Sequence, residues 1–431
     1  MKPHLIVKMA PSVPLPAVAH WQEIIADKSL AQETLSPSVD HLLRQRKIPV
    51  WVAREYRSAG AQWTPEEYAH GLQRVFRLIL QEDKRIPDDL ADAITLLPGV
   101  EYARPGMIAV SPLPTPTAQA MGVSTDRESR EAIFLPEAHR WSRGDGRITV
   151  AVLDSGVCLT HLELTSTLVP GYDFVDILSD AGEFFGDAIG ADADPTDEVG
   201  HGTHVAGIIA AKGKNMPVGV APLCRIMPVR VLGALRQGER RVGAGLIDNI
   251  NTALKWAVDN GADVINMSFG IKHEGGGLPH REVVEYALSR GVTLVAATGN
   301  DGQDALYYPG ALPGVIAVGA AESGGEKASF STYGPQVTLV APGTEVFSAY
   351  REDGYAYASG TSQAAPFVSG AAALLKSYAM ERGGRHLSDR QVKHLLKHTA
   401  DRHDSRFRTP QTGYGQINVA DALRLLDYRL K

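Results

Sequence analysis

Three residues far apart in this 431-residue chain, Asp154, His201 and Ser362, are of the types that perform nucleophilic acyl transfer. A carboxylate that accepts the imidazole Nδ1 proton holds the ring in one tautomer. The other ring nitrogen then takes the hydroxyl proton while the hydroxyl oxygen attacks a carbonyl carbon. Imidazole suits this work because its ordinary pKa of about 6.5 lets it take and return a proton near neutrality. Asp154 ends the apolar run 148–153 and precedes Ser155-Gly156, so its carboxylate emerges at a strand end. His201 opens the segment His201-Gly202-Thr203-His204-Val205-Ala206-Gly207, and Ser362 stands in Gly360-Thr361-Ser362-Gln363-Ala364-Ala365-Pro366 at the head of an apolar helix. Taken singly, each has a plainer reading, the aspartate as a turn residue and the serine as an N-cap. His201 and His204 also raise a metal-chelating reading. No glutamate follows in metalloprotease spacing, however, and no third ligand suggests itself.

With these neighbours, in the order Asp, His, Ser, the chain resembles the subtilisin-like serine proteases, the subtilases. The resemblance runs from about residue 122 to the closing segment Gly413-Tyr414-Gly415-Gln416-Ile417-Asn418-Val419. It implies a serine endopeptidase in which Ser362 attacks, His201 relays the proton and Asp154 orients His201. Asn300, in Thr298-Gly299-Asn300-Asp301-Gly302, would join the Ser362 backbone N–H as oxyanion donor; alone it reads as a turn residue. An extended peptide would bind as an added strand between Ser268-Phe269-Gly270 and the segment of Gly243 and Gly245. His161 matches a structural histidine of the family, and His204 is expected to pack and hydrogen-bond behind the site.

Three departures bear on specificity and durability. Gln363 stands where many relatives carry an oxidisable methionine, and Phe367 replaces a common histidine. Tyr307 stands where a glycine usually opens the base of the P1 pocket, which favours small P1 residues unless the ring points outward. The chemistry requires no cofactor or metal. Structural calcium stays open: the loop Lys212–Val218 carries two lysines and little oxygen-ligand character, while Asp187, Asp192, Asp194, Asp197 and Glu198 read either as a solvated acidic loop or as calcium ligands.

Alternating apolar and helical segments must position these residues. The runs 148–153, 226–232, 264–267, 292–297, 315–318 and 337–340 are near-continuous Val, Ile and Ala, as strands buried on both faces require. Helical patterns over 246–259 and 362–379 intervene. The implied architecture is α/β, a doubly wound, mostly parallel sheet sandwiched by helices, with active residues at the carboxyl ends of strands.

Alternate prolines in Ser111-Pro112-Leu113-Pro114-Thr115-Pro116-Thr117 mark a domain boundary. Upstream lies a small α+β unit with strands near 49–56, 100–104 and 107–110 and a helix over 88–97. Thr64-Pro65-Glu66-Glu67 starts another helix, with Tyr68, Leu72, Val75, Phe76, Ile79 and Leu80 on one face. The stretch 96–103 resembles the end of a subtilase propeptide, which assists folding and inhibits the site with its tail. The expected organisation is a prodomain over 1–111 acting in cis, a linker over 112–121 with processing between Val110 and Gly122, and a catalytic domain over 122–431.

A net charge of −6 with dispersed cations argues against nucleic-acid binding. No apolar run nears the roughly 20 residues of a membrane helix. The expected partners are therefore protein or peptide substrates. The first residues lack the apolar core of a secretory signal, so the expected location is cytoplasmic, with other export routes open. Two cysteines, Cys158 and Cys224, leave either free thiols or one bridge. The competing functional reading is a catalytically silent peptide-binding scaffold on the same fold.

Overall fold

The structure, a computed structural model, describes residues 2–82, 84–112, 119–120, 127–176, 183–188, 190–237, 240–273, 278–322, 324–402 and 406–431. The N-terminal unit is a four-stranded antiparallel sheet in the order β2-β3-β1-β4. Its strands are β1 (His4–Met9), β2 (Val50–Arg54), β3 (Val75–Leu80) and β4 (Val100–Pro105), flanked by helices α1 (Trp21–Ala26), α2 (Pro37–Gln45), α3 (Pro65–His70) and α4 (Leu90–Thr95). The Thr64 capping box forms as expected, with Thr64 Oγ1 accepting from Glu67 N–H and Glu67 Oε2 from Thr64 N–H. The helix itself is shorter than the periodicity predicts. Gly71 closes it in the left-handed region at φ 71°, and the Val75–Leu80 run becomes a fully buried strand. Tyr68 is exposed instead of packed. Positions 72, 75, 76, 79 and 80 satisfy both a helical stripe and a strand buried on both faces, and the glycine decides between them.

Two short strands follow, β5 (Ile108–Pro112) and β6 (Gln119–Ala120). The segment 107–110, expected to complete the N-terminal sheet, instead belongs to β5 and pairs outside that sheet. The linker 113–118 and residues 121–126, which hold most of the expected processing region, lie outside the described residues. The helical turns α5 (Glu128–Glu131) and α6 (Leu135–Ala138) lead into the larger unit.

That unit is built on seven strands in the order β18-β17-β15-β13-β7-β10-β8, and every registered pair is parallel. They are β7 (Thr149–Asp154), β8 (Tyr172–Asp173), β10 (Arg225–Arg230), β13 (Val264–Met267), β15 (Thr293–Ala297), β17 (Ile316–Ala321) and β18 (Val337–Pro342). Helices cover both faces, confirming the doubly wound α/β expectation. Along β7 the two-residue period assigns the faces: Val150 and Val152 pack with the core of α7 (His201–Ala210) and α10 (Thr361–Gly383), while Ala151 and Leu153 face α8 (Ile247–Asp259) and α9 (Arg281–Ser289). Helices α11 (Asp389–Thr399) and α12 (Val419–Leu430) pack beside α10. Cys158 and Cys224 are free and buried.

Outside the main sheet, β9 (Glu183–Phe185), β11 (Gly233–Gln237) and β12 (Arg240–Leu246) continue into β5, giving the order β5-β12-β11-β9. Strands β14 (Ile271–Lys272) and β16 (Tyr307–Tyr308) form a second small pair, and β19 (Val346–Ala349) and β20 (Tyr355–Ala358) a hairpin whose outer edge carries β6.

The N-terminal sheet docks on α8 and α9, and the joint is apolar with charges at chosen points. Ile6, Tyr56, Leu72 and Val75 share one core with Ile250, Leu254 and Val283. Within it Arg77 makes two bonds to Glu55, at 2.7 and 2.8 Å, and a third to Asn249 Oδ1 at 3.2 Å. Asp248 accepts from His4 Nε2 at 3.0 Å and Arg104 at 2.5 Å, and Lys255 bridges Glu67 and Asp259 at 2.5 and 2.6 Å. Removing one partner of a buried pair strands the other's charge, at a cost of about 3–5 kcal/mol. Arg77→Ala in the full chain is therefore expected to lower unfolding stability by at least ~3 kcal/mol, read as the urea midpoint with the slope unchanged.

Candidate active site

Asp154 is the last residue of β7 and fully buried. Its Oδ1 accepts the Ser155 N–H at 2.7 Å and meets His201 Nδ1 at 2.6 Å. A carboxylate only accepts, so the proton of this bond sits on Nδ1 and Nε2 faces the cleft. His201 opens α7, which follows Gly200 in a left-handed conformation at φ 100°. A side chain at Gly202 would place its Cβ 2.1 Å from the Gly156 carbonyl, so only glycine lets the helix come this near to β7.

Asp197 takes backbone N–H groups on both sides of the start of α7. Its Oδ1 accepts from Val199 and Gly200 N–H and from Ser155 Oγ; its Oδ2 accepts from Thr203 N–H and Oγ1. Asp187, Asp192 and Asp194 are exposed, as a solvated acidic loop requires, and Asp197 departs from that reading. Asp197 is a buried cap, and Glu198 pairs with the buried Arg230 at 2.8 Å. Burial pushes the Asp197 carboxyl above the usual range, opposed by the bonds from Thr203 and Gly200. At His201, burial disfavours the imidazolium, but the Asp154 charge and hydrogen bond outweigh it, and the pKa stands above its ordinary value.

The structural histidines fall where expected. His204 Nε2 meets the carbonyls of Val346 and Ala356, both at 3.1 Å, and burial holds its pKa down to about 3. His161 Nε2 meets the Gly354 carbonyl at 3.0 Å.

Ser362 is the second residue of α10. Pro366, four residues on, has no N–H for the Ser362 carbonyl, and Ser268 Oγ donates to that carbonyl instead, at 2.8 Å. Ser362 Oγ in turn donates to the Ser268 carbonyl at 2.8 Å, while His201 Nε2 is buried without a hydrogen-bond partner. The serine thus stands turned from the imidazole toward the backbone of the Ser268-Phe269-Gly270 segment. Asn300 is anchored by its carbonyl oxygen, which accepts from Thr361 N–H at 2.8 Å and Thr361 Oγ1 at 3.0 Å. Its amide N–H₂ remains as donor on the nucleophile's side. Gln363 is fully buried, and its two amide atoms are without hydrogen-bond partners.

Of the expected substrate-binding residues, Ser268-Phe269-Gly270 follows the end of β13, and Gly243 and Gly245 stand in β12. Gly245 lies where a Cβ would meet the Val231 carbonyl at 2.1 Å, and β12 carries β5 antiparallel with Gly243 opposite Ser111 and Gly245 opposite Ala109. The edge expected to take a substrate strand is therefore occupied by the chain's own residues 108–112. Tyr307 points into the frame, not away from it. Its ring lies against Gly299, where a Cβ would come within 2.8 Å, its Cβ sits against Gly270, and its hydroxyl donates to Asp301 Oδ2 at 3.3 Å. Phe367 lies 5.3 Å beneath the buried Arg130 guanidinium, a site where a protonated histidine would be repelled.

Residues 145–416 match the family model described as the subtilase family. The chain belongs to the subtilase family. Over 379 residues this subtilase is 34% identical to the thermophilic serine proteinase of Bacillus sp. (strain AK1), covering 84% of this chain and 85% of that protein. It is 39% identical over 282 residues to the major intracellular serine protease of Bacillus subtilis (strain 168), covering 64% and 82%. Its fold is similar to the proteases from Pseudoalteromonas arctica PAMC 21717, with TM-score 0.59, 30% identity and coverage of 68% of this chain and 94% of that one. As a subtilase it is a serine endopeptidase acting on protein substrates, and its catalysis needs no cofactor.

The structural roles of Ser155, Asp197 and Arg130 escaped the sequence reading. Asp197 stands four residues before His201, short of the N-cap position that Gly200 holds, so no local pattern marked it as a partner of the helix. Asp197→Ala leaves several buried donors without acceptors, at about 1–3 kcal/mol each before relaxation. The variant is expected to lose at least ~2 kcal/mol of stability, measured by chemical unfolding. Asp197→Asn, which keeps one acceptor oxygen, is expected to lose less.

Proposed function

We propose that Ser362 is the nucleophile, His201 the general base and then acid, Asp154 its orienting carboxylate, and Asn300 with the Ser362 backbone N–H the oxyanion donors. Ser362 Oγ leaves the Ser268 carbonyl and turns to His201 Nε2, which takes its proton as Oγ bonds to the scissile carbonyl carbon. The oxygen of that carbonyl becomes anionic and draws on the Asn300 amide. The carbon–nitrogen bond then breaks, and the proton on Nε2 goes to the leaving amine. Water, deprotonated by the same nitrogen, releases the acyl group and returns the proton to Ser362. The 2.6 Å bond between His201 Nδ1 and Asp154 is what supports these roles most directly.

We further propose that residues 1–111 act in cis as a prodomain, with the cut within 112–121 and the enzyme over 122–431. Support comes from β5, paired on Gly243 and Gly245 as a substrate strand would be, and from β6, paired on β20 four residues before Ser362. We assign no calcium to 187–198, because Asp197 spends both oxygens on α7 and Glu198 is engaged by Arg230. A small P1 preference follows from the Tyr307 ring against Gly299.

An intact-mass time course with a fluorophosphonate tests the core of this. The expected result is one adduct in the wild type, none in Ser362→Ala, and loss of mass corresponding to a cut between 112 and 121. An adduct in Ser362→Ala would overturn the nucleophile, and a stable full-length adduct would overturn the processing.

Three quantitative outcomes belong to the processed enzyme. Asn300→Ala is expected to lower kcat by about 10²–10³ with KM little changed. Because the base must be neutral and its pKa is raised, kcat/KM should fall as pH drops through a value above 6.5. Tyr307→Gly should raise kcat/KM for Phe and Tyr at P1 relative to Ala, and an unchanged ratio would remove Tyr307 from specificity.

A further inference from the structure

The chain's charge is unevenly divided. Residues 382–431 carry eleven Lys and Arg against five Asp and Glu, in a chain whose net charge is −6. In the fold, described residues of α11, of 406–415 and of α12 meet around Arg402. Arg402, Arg406, Arg408, Arg424 and Arg429 are exposed there. Two large aromatic residues are exposed there as well, Phe407 at 52% and Tyr428 at 77%. The cations and rings are organised together: the Arg402 guanidinium lies 4.5 Å over the Phe407 ring and Lys397 Nζ 4.2 Å over Tyr414.

Two hollows meet at Arg402. One, of about 240 Å³, runs from Arg406 past Thr412 to Tyr414, with Glu326 at its rim; the other, of about 700 Å³, lies between His398 and Tyr428. A guanidinium resting over a ring can still offer its N–H groups to a carboxylate, with part of its freedom already spent.

We propose that this face docks an acidic polypeptide segment, with a carboxylate on Arg402 and apolar side chains in the hollows on either side. Acidic side chains within the face itself favour a polypeptide over a nucleic acid. Asp401 and Asp421 line the larger hollow, and Asp421 is paired with Arg424. They break the row of cations that a phosphate backbone, with one charge every ~1.7 Å along a duplex, would need. A polypeptide can present carboxylates at intervals and put apolar groups between them.

The residues lining the two hollows include none of the catalytic residues. The docking is therefore an added binding function of the subtilase, for a substrate held at a distance or for an anchoring protein, and it does not rest on the triad assignment.

The test uses the full chain carrying Ser362→Ala and a dye-labelled peptide of alternating Glu and Leu, beside the same peptide with Gln in place of Glu. Fluorescence anisotropy at low salt is expected to show binding about tenfold or more tighter for the Glu peptide, weakening as salt rises. Arg402→Glu should weaken it about tenfold, Arg402→Lys less, and Phe407→Ala severalfold. Each change on a Ser362-intact chain should leave the fluorophosphonate labelling rate unaltered, which separates this proposal from the catalytic one. Equal binding of the Gln peptide, indifference to Arg402→Glu, or tighter binding of a single-stranded oligonucleotide or of phosphatidylserine vesicles would each overturn it.

Discussion

The 2.6 Å bond between Asp154 and His201 requires helix α7 to start almost against the end of strand β7, and the surrounding sequence answers that requirement. Gly202 has no side chain because the Gly156 carbonyl occupies its place. So close an approach shuts water out from the first turn of α7, whose N–H groups must then find protein acceptors. Asp197 accepts the Thr203 N–H and the Val199 and Gly200 N–H groups that lead into the helix, and Ser155 Oγ, by accepting from Gly202 N–H while donating to Asp197, joins the strand end and the helix cap in one network. The elevated basicity of His201 follows from the same closeness, since it places the imidazole beside the Asp154 and Asp197 charges with little solvent between.

A second constraint begins with Pro366. The missing N–H frees the Ser362 carbonyl, and the exchange of bonds with Ser268 ties the nucleophile to the segment at the cleft edge. Asn266 extends the tie, donating to Ser268 Oγ and accepting from Ser369 Oγ one turn beyond Pro366. The residue that would pair with substrate and the residue that would attack it are thus held by one buried hydrogen-bond chain between β13 and α10. A displacement of the cleft edge by a bound peptide would bear on the serine's rotamer through that chain.

What could be read from the sequence was local chemistry and strong periodicity. The six apolar runs of the parallel sheet are continuous over both faces, so no helix pattern competes with them, and glycines bound the nucleophile and histidine segments. Legibility failed where contacts are long in sequence or where two patterns coincide. Residues 72–80 fit a helix and a strand equally until Gly71 is seen to cap. Strand β5 looks like part of its own domain, yet Ile108 pairs with Leu246. Asp197 is hidden among neighbouring acids because its inward orientation is set by Ser155, 42 positions earlier. Tyr307 is resolved only by Gly270 and Gly299, which three separate loops bring together.

The joint between the N-terminal sheet and α8 and α9 divides its labour in the way buried charges dictate. Arg77 with Glu55, Asp248 with His4 and Arg104, and Lys255 with Glu67 and Asp259 all leave water on docking, so their mutual attraction is largely offset by lost hydration. Each is nonetheless costly to mismatch, so together they allow one orientation and penalise others. Attraction falls to the apolar contacts around Ile6, Tyr56 and Leu72 and to the backbone ladder between β5 and β12. Neither passes through the covalent linker. Severing the chain between 112 and 121 would release its tether while leaving both in place, and the cleft beside Gly243 would stay filled until the ladder itself was displaced.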